Sequence, residues 1–387
     1  MKVAWLSPFP PQRTGIADYS YALIKKLKPH IDIDVYYENA MPDDKVREGF
    51  ATYPIQLFTK RRQRYDEIIY HLGNNCEFHR SIYKLAWDFP GLVVLHDYNI
   101  HSFMQDAFWS TPEEYLYKQA FVEECGKDWT EGAQELRNNR CTDVLRYSMS
   151  HAIVRRSKKV IVHHKWVKRQ FTDDRHVQVI PLFANINYQP TPEDVAAFKK
   201  RHHIDGNQFV ISCLGFINRN KLPQLLIEVV KRLVDEGYPI KTVFAGEVAP
   251  DMKYLVPEIQ SSRHAETFIF TGYQNERNYF SGIFASDIII NLRYPSLGEA
   301  SATLMHSLAA GKPAIISDVN QYKEFPDRVC WKVAHDGNER EVLYEYLRHL
   351  LGDGNLRAAL SHNSLSYVKN VLSLERVVGQ WLDAILL

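Results

Sequence analysis

The stretch Asn291-Leu-Arg-Tyr-Pro-Ser-Leu-Gly-Glu-Ala-Ser-Ala-Thr-Leu-Met305, running on to Ala309-Ala-Gly-Lys-Pro313, joins an apolar run to a small-residue loop and then to a helix-like segment. The apolar run at 287–292 reads as a buried strand ending at Leu292, and the helix is expected to start near Ser301. Gly298, Ala300, Ser301 and Ala302 leave the backbone open to a ligand. A helix start adds unpaired N–H donors with positive partial charge, an environment that suits a pyrophosphate. Glu299 fits that setting differently, because a carboxylate repels phosphate. It suits either acceptance of hydrogen bonds from neutral sugar hydroxyls or an acid favoured by the helix dipole.

Working outward, this strand–loop–helix unit is one of a series. Apolar runs at 2–6, 68–72, 92–95 and 160–162 read as buried strands in the first half. Runs at 209–214, 241–245, 267–270, 287–292 and 313–317 repeat the reading in the second half. Helix-like segments lie between them at 19–27, 222–236, 276–285 and 303–310. Strands rich in Val and Ile without clean alternation belong to parallel sheets covered on both faces, and alternation with helices gives α/β units. The chain has 387 residues, whereas single cores stop growing at roughly 250–300. The polar segment 185–208 holds Pro190, Pro192, the run Lys199-Lys200-Arg201-His202-His203 and the Asp205-Gly206 turn, and reads as a linker with a short helix inside it. Two doubly wound α/β domains in tandem are therefore expected, with ligands at the carboxyl ends of the strands and the active site in the cleft between facing sheets. The boundaries fall at 1–185 for the first domain, 186–207 for the linker and 208–372 for the second. Residues 373–387 read as a terminal helix capped by Ser373, with Glu375 in its first turn.

Charge and cysteine content exclude several classes. Forty-seven Lys and Arg against 46 Asp and Glu leave a net charge of +1, which gives no drive toward nucleic acid. The clusters Lys60-Arg61-Arg62 and Arg155-Arg156 with Lys158-Lys159 read as solvated surface charge, or as peripheral contact with an anionic membrane that suits a lipid-linked acceptor. Cys76, Cys125, Cys141, Cys213 and Cys330 are scattered and odd in number, which argues against a disulfide framework or a zinc knot and for a reducing compartment. The first six residues are too short an apolar run for a signal peptide, and no run of about 18 apolar residues occurs. The expected location is cytoplasmic.

Taken together, Pro295-Ser-Leu-Gly-Glu299, Leu308-Ala-Ala-Gly-Lys-Pro-Ala-Ile-Ile-Ser-Asp318 and Glu324 resemble the donor-site signature of retaining GT-B glycosyltransferases of family 4. The resemblance extends through Phe270-Thr-Gly-Tyr273, Ala285-Ser-Asp287 and Leu214-Gly-Phe-Ile-Asn-Arg-Asn-Lys221. In the first half it takes in Thr14-Gly-Ile-Ala-Asp-Tyr19, His71-Leu-Gly-Asn-Asn75 and Val93-Val-Leu-His-Asp97. It covers nearly the whole chain, with the motifs in order. It implies a GT-B fold of two Rossmann-like domains facing each other, the first on the acceptor side and the second binding a GDP- or UDP-sugar. It further implies hexose transfer to an acceptor hydroxyl with retained configuration, in surface polysaccharide or glycolipid synthesis. The terminal helix would cross back to the first domain, with Trp381 as its anchor.

The resemblance implies roles residue by residue. Glu299 would bind donor-sugar hydroxyls and Lys221 the donor phosphates. His96 would lie near the anomeric carbon, its backbone or ring positioning the sugar, and these make His96 and Glu299 the catalytic candidates. Gly15 would let the first loop approach the donor phosphate and acceptor. Gly215, Arg219, Lys221, Tyr273, Arg293, Gly298, Ala300, Ser301, Ala302 and Ser307 form the candidate donor site. Cationic side chains and N–H donors would neutralise the leaving diphosphate. With no convincing Asp-x-Asp motif to hold a divalent ion, neither a metal nor another cofactor is expected.

Two positions depart from the family pattern. A ribose-binding Glu is commonly found eight residues after the first, where this chain has Ser307, and an Arg commonly follows the glycine of Leu214-Gly215, where it has Phe216. Arg219 or Arg293 would replace that phosphate contact, Arg293 being better placed or else an ordinary rim arginine. A subgroup with a Gly-Glu-x-Ser donor loop fits this chain better than the common pattern. The departures also leave open a catalytically silent nucleotide-sugar-binding protein or partner subunit. Epimerisation of a sugar nucleotide would need carboxylates that the sequence does not identify.

His71, Asn74 and Asp97 are acceptor-side candidates, or strand-end caps in the case of Asn74 and Asp97. His163-His164 and His202-His203 are poor joint metal ligands, since strand neighbours point to opposite faces. Tyr98, His101, Phe103 and Trp109 suit either core packing or sugar stacking. A nicotinamide cofactor is argued against, because no Gly-x-Gly-x-x-Gly follows the first strand.

Overall fold

A computed structural model of the chain describes residues 1–126 and 146–386, so Cys141 lies outside the described residues. The chain divides into two compact units. One comprises Met1–Pro181, Leu297–Ala300 and Leu374–Leu387, and the other Leu182–Ser296 and Ser301–Ser373.

Among the described residues, the first unit is built on seven parallel strands: β1 (Lys2–Leu6), β2 (Asp32–Tyr37), β3 (Ala51–Pro54), β4 (Glu67–Leu72), β5 (Leu92–Leu95), β6 (Lys159–Val162) and β7 (Val177–Val179). Their order is β3-β2-β1-β4-β5-β6-β7. The order reverses between β1 and β4, and their carboxyl ends are where an open α/β sheet binds ligands. β1, β4, β5 and β6 are the apolar runs expected from sequence. β2 escaped that reading because Asp32 and Asp34 interrupt its apolar character. Asp34 is buried all the same, paired with Lys2 Nζ at 3.2 Å and accepting from Tyr65 Oη at 2.8 Å. The edge strands β3 and β7 are too short and too partly exposed to leave an apolar signature.

The second unit holds six parallel strands: β8 (Phe209–Leu214), β9 (Ile240–Ala245), β10 (Phe268–Phe270), β11 (Ile288–Asn291), β12 (Ala314–Ser317) and β13 (Cys330–Val333). The order β10-β9-β8-β11-β12-β13 places the reversal between β8 and β11. Two Rossmann-like parallel-sheet domains are thus present, as expected. Each has its own buried core, around Leu6, Tyr70, Val93 and Phe103 in one and Ile211, Leu226, Phe244 and Ile290 in the other.

Capping sets the helix limits. The helix expected at 19–27 runs Gly15–Leu27, because Thr14 accepts from Ile16 N and starts it four residues earlier. Asn275 caps Glu276–Ala285, and Ser301 caps Ala302–Ala309 by accepting from Leu304 N at 3.3 Å. Residues 186–207, read as a linker, are instead an integral part of the second unit, whose boundary falls after Pro181. Their helix Pro192–Arg201 carries a Thr191/Asp194 capping box. It packs on Glu276–Ala285, where Gly282 lets Phe198 close in and Arg277 pairs with Asp194.

The terminal helix Leu374–Leu386 belongs to the first unit and packs on Gly15–Leu27. Its Trp381 is fully buried, lies 5.4 Å from the Trp5 ring and donates to Tyr19 Oη at 3.2 Å. Among the described residues no helix is long and apolar enough to cross a membrane.

Candidate functional site

At the reversal point of the second sheet, β8 ends at Leu214 and is followed by Gly215, in a left-handed conformation at φ +78° that favours glycine. A side chain on Gly246 would overlap the Gly215 carbonyl, so that glycine lets the two strand ends close up. The short 3-10 turn Arg219–Lys221 follows and ends on Leu222, whose left-handed φ of 52° is strained for a leucine. This turn aims Lys221 back under Gly215. The Lys221 ammonium is buried and donates to the Leu214 carbonyl, not to a carboxylate. Burial, with Arg293 as a neighbouring cation, pushes its pKa down to about 7. Arg293 follows β11, and its backbone N–H donates to Ser317 Oγ at 2.8 Å. Next to it, Tyr294 stacks on His335 with ring centroids 4.3 Å apart. Two cations at adjacent strand ends, beside a helix start capped by Ser301, are suited to an anion.

Other donor candidates of this unit are placed differently. Phe216 and Tyr273 are about half exposed. Arg219 points into solvent, 3.9 Å from Asp251, and does not join Lys221 and Arg293. Ser307 is fully buried, and its hydroxyl donates to the Thr303 carbonyl one turn back, so it offers nothing to a ribose.

In the first unit, the loop Leu297–Ala300 is held by the backbone that follows β5. Ala300 N donates to His96 O at 3.0 Å, Tyr98 N to Gly298 O at 3.3 Å and Asn99 N to Leu297 O at 2.9 Å. Gly298, at φ +73°, is buried against Tyr98 and Trp166. Glu299 Oε2 accepts from Leu297 N at 2.8 Å, so a turn within the loop orients its carboxylate.

Asp97 Oδ2 accepts from Asn74 N at 2.8 Å, and Asn74 Oδ1 accepts from Phe103 N at 2.8 Å. These two acceptor-side candidates therefore tie the β4 and β5 ends together. Burial pushes Asp97 up to about 7 against the bond from Asn74, with the Glu299 charge adding to the rise. Gly15 is exposed as the first residue of its helix.

The His96 ring is buried, and both its nitrogens are taken. Nε2 meets His71 Nδ1 at 2.9 Å, and Nδ1 meets His163 Nε2 at 3.1 Å. Burial holds His71 and His96 well below the usual histidine pKa. His96 thus reaches the loop Leu297–Ala300 through its carbonyl and not through its ring. In the sequence His163 stands out only as half of the pair His163-His164. The available signal was that β4, β5 and β6 each carry a histidine at or just beyond the carboxyl end. Among the described residues no group of three His, Cys, Asp or Glu side chains is arranged to hold a metal.

This architecture is the GT-B fold. Residues 194–366 match the family model of glycosyl transferases group 1. No curated protein matches the chain in sequence. The Anabaena protein HepE, solved with UDP-glucose, superposes with a TM-score of 0.70 at 13% identity, covering 100% of this chain and 99% of that one. Sucrose-phosphate synthase of Thermosynechococcus elongatus gives 0.68 at 15% identity, covering 98% and 97%. WaaG, described as a glycosyltransferase involved in lipopolysaccharide biosynthesis, gives 0.62 at 15% identity, covering 98% and 99%. The family match is confined to the second unit and the loop Leu297–Ala300, and the solved structures share the fold of the whole chain.

Proposed function

We propose that this protein transfers a hexose from a GDP- or UDP-sugar to an acceptor hydroxyl, with retention of configuration, as a metal-independent member of family 4. The observation that carries the reading is the pairing of buried Lys221 with Arg293 at the β8 and β11 ends, beside the Ser301 helix start. That is a preorganised site for a diphosphate leaving group, whose charge grows as the glycosidic bond breaks. Glu299, oriented by Leu297 N, accepts hydroxyls of the transferred sugar. The His96 carbonyl fixes the donor loop at Ala300. The departing phosphate takes the acceptor proton in a same-face substitution. UDP-glucose in HepE supports a uridine nucleotide as the first donor to try. The lipopolysaccharide role printed for WaaG supports a surface-polysaccharide or glycolipid acceptor, reached by peripheral membrane contact.

Two observations favour a second reading. Ser307 is sealed in its helix and Phe216 stands where a phosphate-binding arginine is common, which suits a catalytically silent nucleotide-sugar-binding subunit.

A thermal-shift screen against UDP, GDP, ADP and CMP and their sugar conjugates, with and without EDTA, separates the two. A ligand at 100 times its Kd adds about 2.7 kcal/mol of stability. Stabilisation by one base, unchanged by EDTA, followed by transfer that Glu299→Ala lowers at least ~100-fold, is expected. A nucleotide-sugar that stabilises but never turns over selects the silent reading. A flat response to every nucleotide removes both.

A further inference from the structure

Three neighbouring strands of the first sheet each place a histidine at their carboxyl end: His71 in β4, His96 after β5 and His163 after β6. The three buried rings form one hydrogen-bonded chain, His71 Nδ1 to His96 Nε2, His96 Nδ1 to His163 Nε2, and His163 Nδ1 to the Ile180 carbonyl at 2.9 Å. The carbonyl only accepts, so His163 Nδ1 carries a hydrogen. A neutral imidazole has one donor and one acceptor nitrogen. His163 Nε2 therefore accepts, His96 Nδ1 donates, His96 Nε2 accepts and His71 Nδ1 donates. The last nitrogen, His71 Nε2, carries no hydrogen and has no hydrogen-bond partner. Its ring stacks on Trp5 at 4.9 Å and on Trp381 at 6.2 Å.

Every bond direction in the chain is thus dictated from Ile180. A chain that ends on a carbonyl passes no proton onward, so it is a brace and not a proton wire. Three imidazoles are also a costly filling for a core that aliphatic side chains fill well, unless their bonds hold something in place. What they hold is the turn after β5, whose backbone makes the three hydrogen bonds to Leu297–Ala300.

We propose that His71 and His163 are positioning residues, gripping the His96 ring from both sides so that the 96–99 turn presents the donor loop and Glu299 in one fixed geometry. The catalytic consequence rests on the sugar-transfer reading, whereas the brace itself does not.

The test compares wild type with His163→Phe, which fills the space without a polar atom, and His163→Gln, whose amide can donate to Ile180 O and accept from His96. The readouts are hydrogen exchange at the Tyr98, Asn99 and Ala300 amides, kcat on a nucleotide-sugar, and Kd for the free nucleoside diphosphate. His163→Phe is expected to speed exchange at those amides and lower kcat, each at least ~10-fold, with Kd within ~2-fold. His163→Gln is expected to recover both to within ~3-fold. Wild-type exchange in a folded His163→Phe overturns the brace, as does a Gln variant no better than Phe. Should His163→Phe not fold, ring 15N shifts of wild type decide: all three Nδ1–H tautomers support the brace, and an Nε2–H form at His96 or His163 overturns it. A wild type that turns over no nucleotide-sugar overturns the functional reading, while exchange and tautomers still judge the brace.

Discussion

Lys221 shows how one side chain couples burial to ligand charge. Its amine sits under Gly215 in contact with a carbonyl, and burial with the Arg293 charge lowers its pKa to about 7. A diphosphate beside it favours the ammonium, so the pKa rises on binding. Below pH 7 the free amine is already protonated and affinity is flat. Above pH 7 binding must take up a proton, so Kd for the nucleoside diphosphate should weaken about tenfold per pH unit until the pKa of the complex is reached. Calorimetry at pH 8 in two buffers of different ionisation enthalpy should report uptake of close to one proton. Lys221→Ala should abolish that uptake and weaken binding at pH 6.5 by roughly 10–100-fold, the worth of a charged hydrogen bond. A mutant with wild-type affinity removes Lys221 from the phosphate site.

At the level of elements, the loop Leu297–Ala300, the proposed donor loop, shows what sequence could and could not disclose. Its strand, its small residues and its helix start at Ser301 were all legible, because each leaves a local signature of apolar run, glycine or cap. What held the loop was not legible, because Tyr98, Trp166 and the backbone of 96–99 lie far from it in the chain. The same limit hid the histidine chain, whose members are separated by 25 and 67 residues and meet only through parallel pairing. Ser307 was misplaced for a related reason, since the number of residues along a helix does not say which face is sealed. The loop's dependence on Gly298 is testable. A Cβ there would lie 2.5 Å from Tyr98 Cβ and 3.1 Å from Trp166, at a φ of +73°. Gly237 has a φ of +95° and open space, so Gly237→Ala meets the backbone strain without the clash. Gly298→Ala should lower kcat at least ~10-fold with CD unchanged, and Gly237→Ala should cost only about 1–2 kcal/mol of stability with kcat kept. Equal kcat in the two variants would show that the close seat of the loop on Tyr98 is immaterial.

Across the whole molecule, the two-sheet plan was readable because 387 residues and two strand–helix series demand two cores, while the placement of 186–207 and the edge strands had to come from tertiary contacts. One global property follows from how the first unit is filled. Burial lowers His79 and His163 to about 4 and His164 to about 3, against an ordinary value of 6.5. Folded, these rings stay neutral through mild acid, while in the unfolded chain they protonate from pH 6.5 downward. The unfolded state therefore binds more protons between about 4 and 6.5, and stability is lost as pH falls through that window. Asp97 opposes the trend, because its raised pKa near 7 lets the folded state hold a proton the unfolded chain releases until about 4. His71 and His96 are held well below the ordinary value too, so five protons against one leave a net uptake of about four on unfolding, a loss of about 5 kcal/mol per pH unit near pH 5.5. Urea unfolding followed by tryptophan fluorescence at pH 7.5, 6.5 and 5.5 should show little change over the first step and a steep fall over the second. Since Trp5 and Trp381 are both buried in the first unit, their emission reports on the unit that carries these histidines. Stability that is flat or rising from pH 6.5 to 5.5 would mean that the buried histidines are already charged, and the neutral tautomer chain through His96 would fall with it.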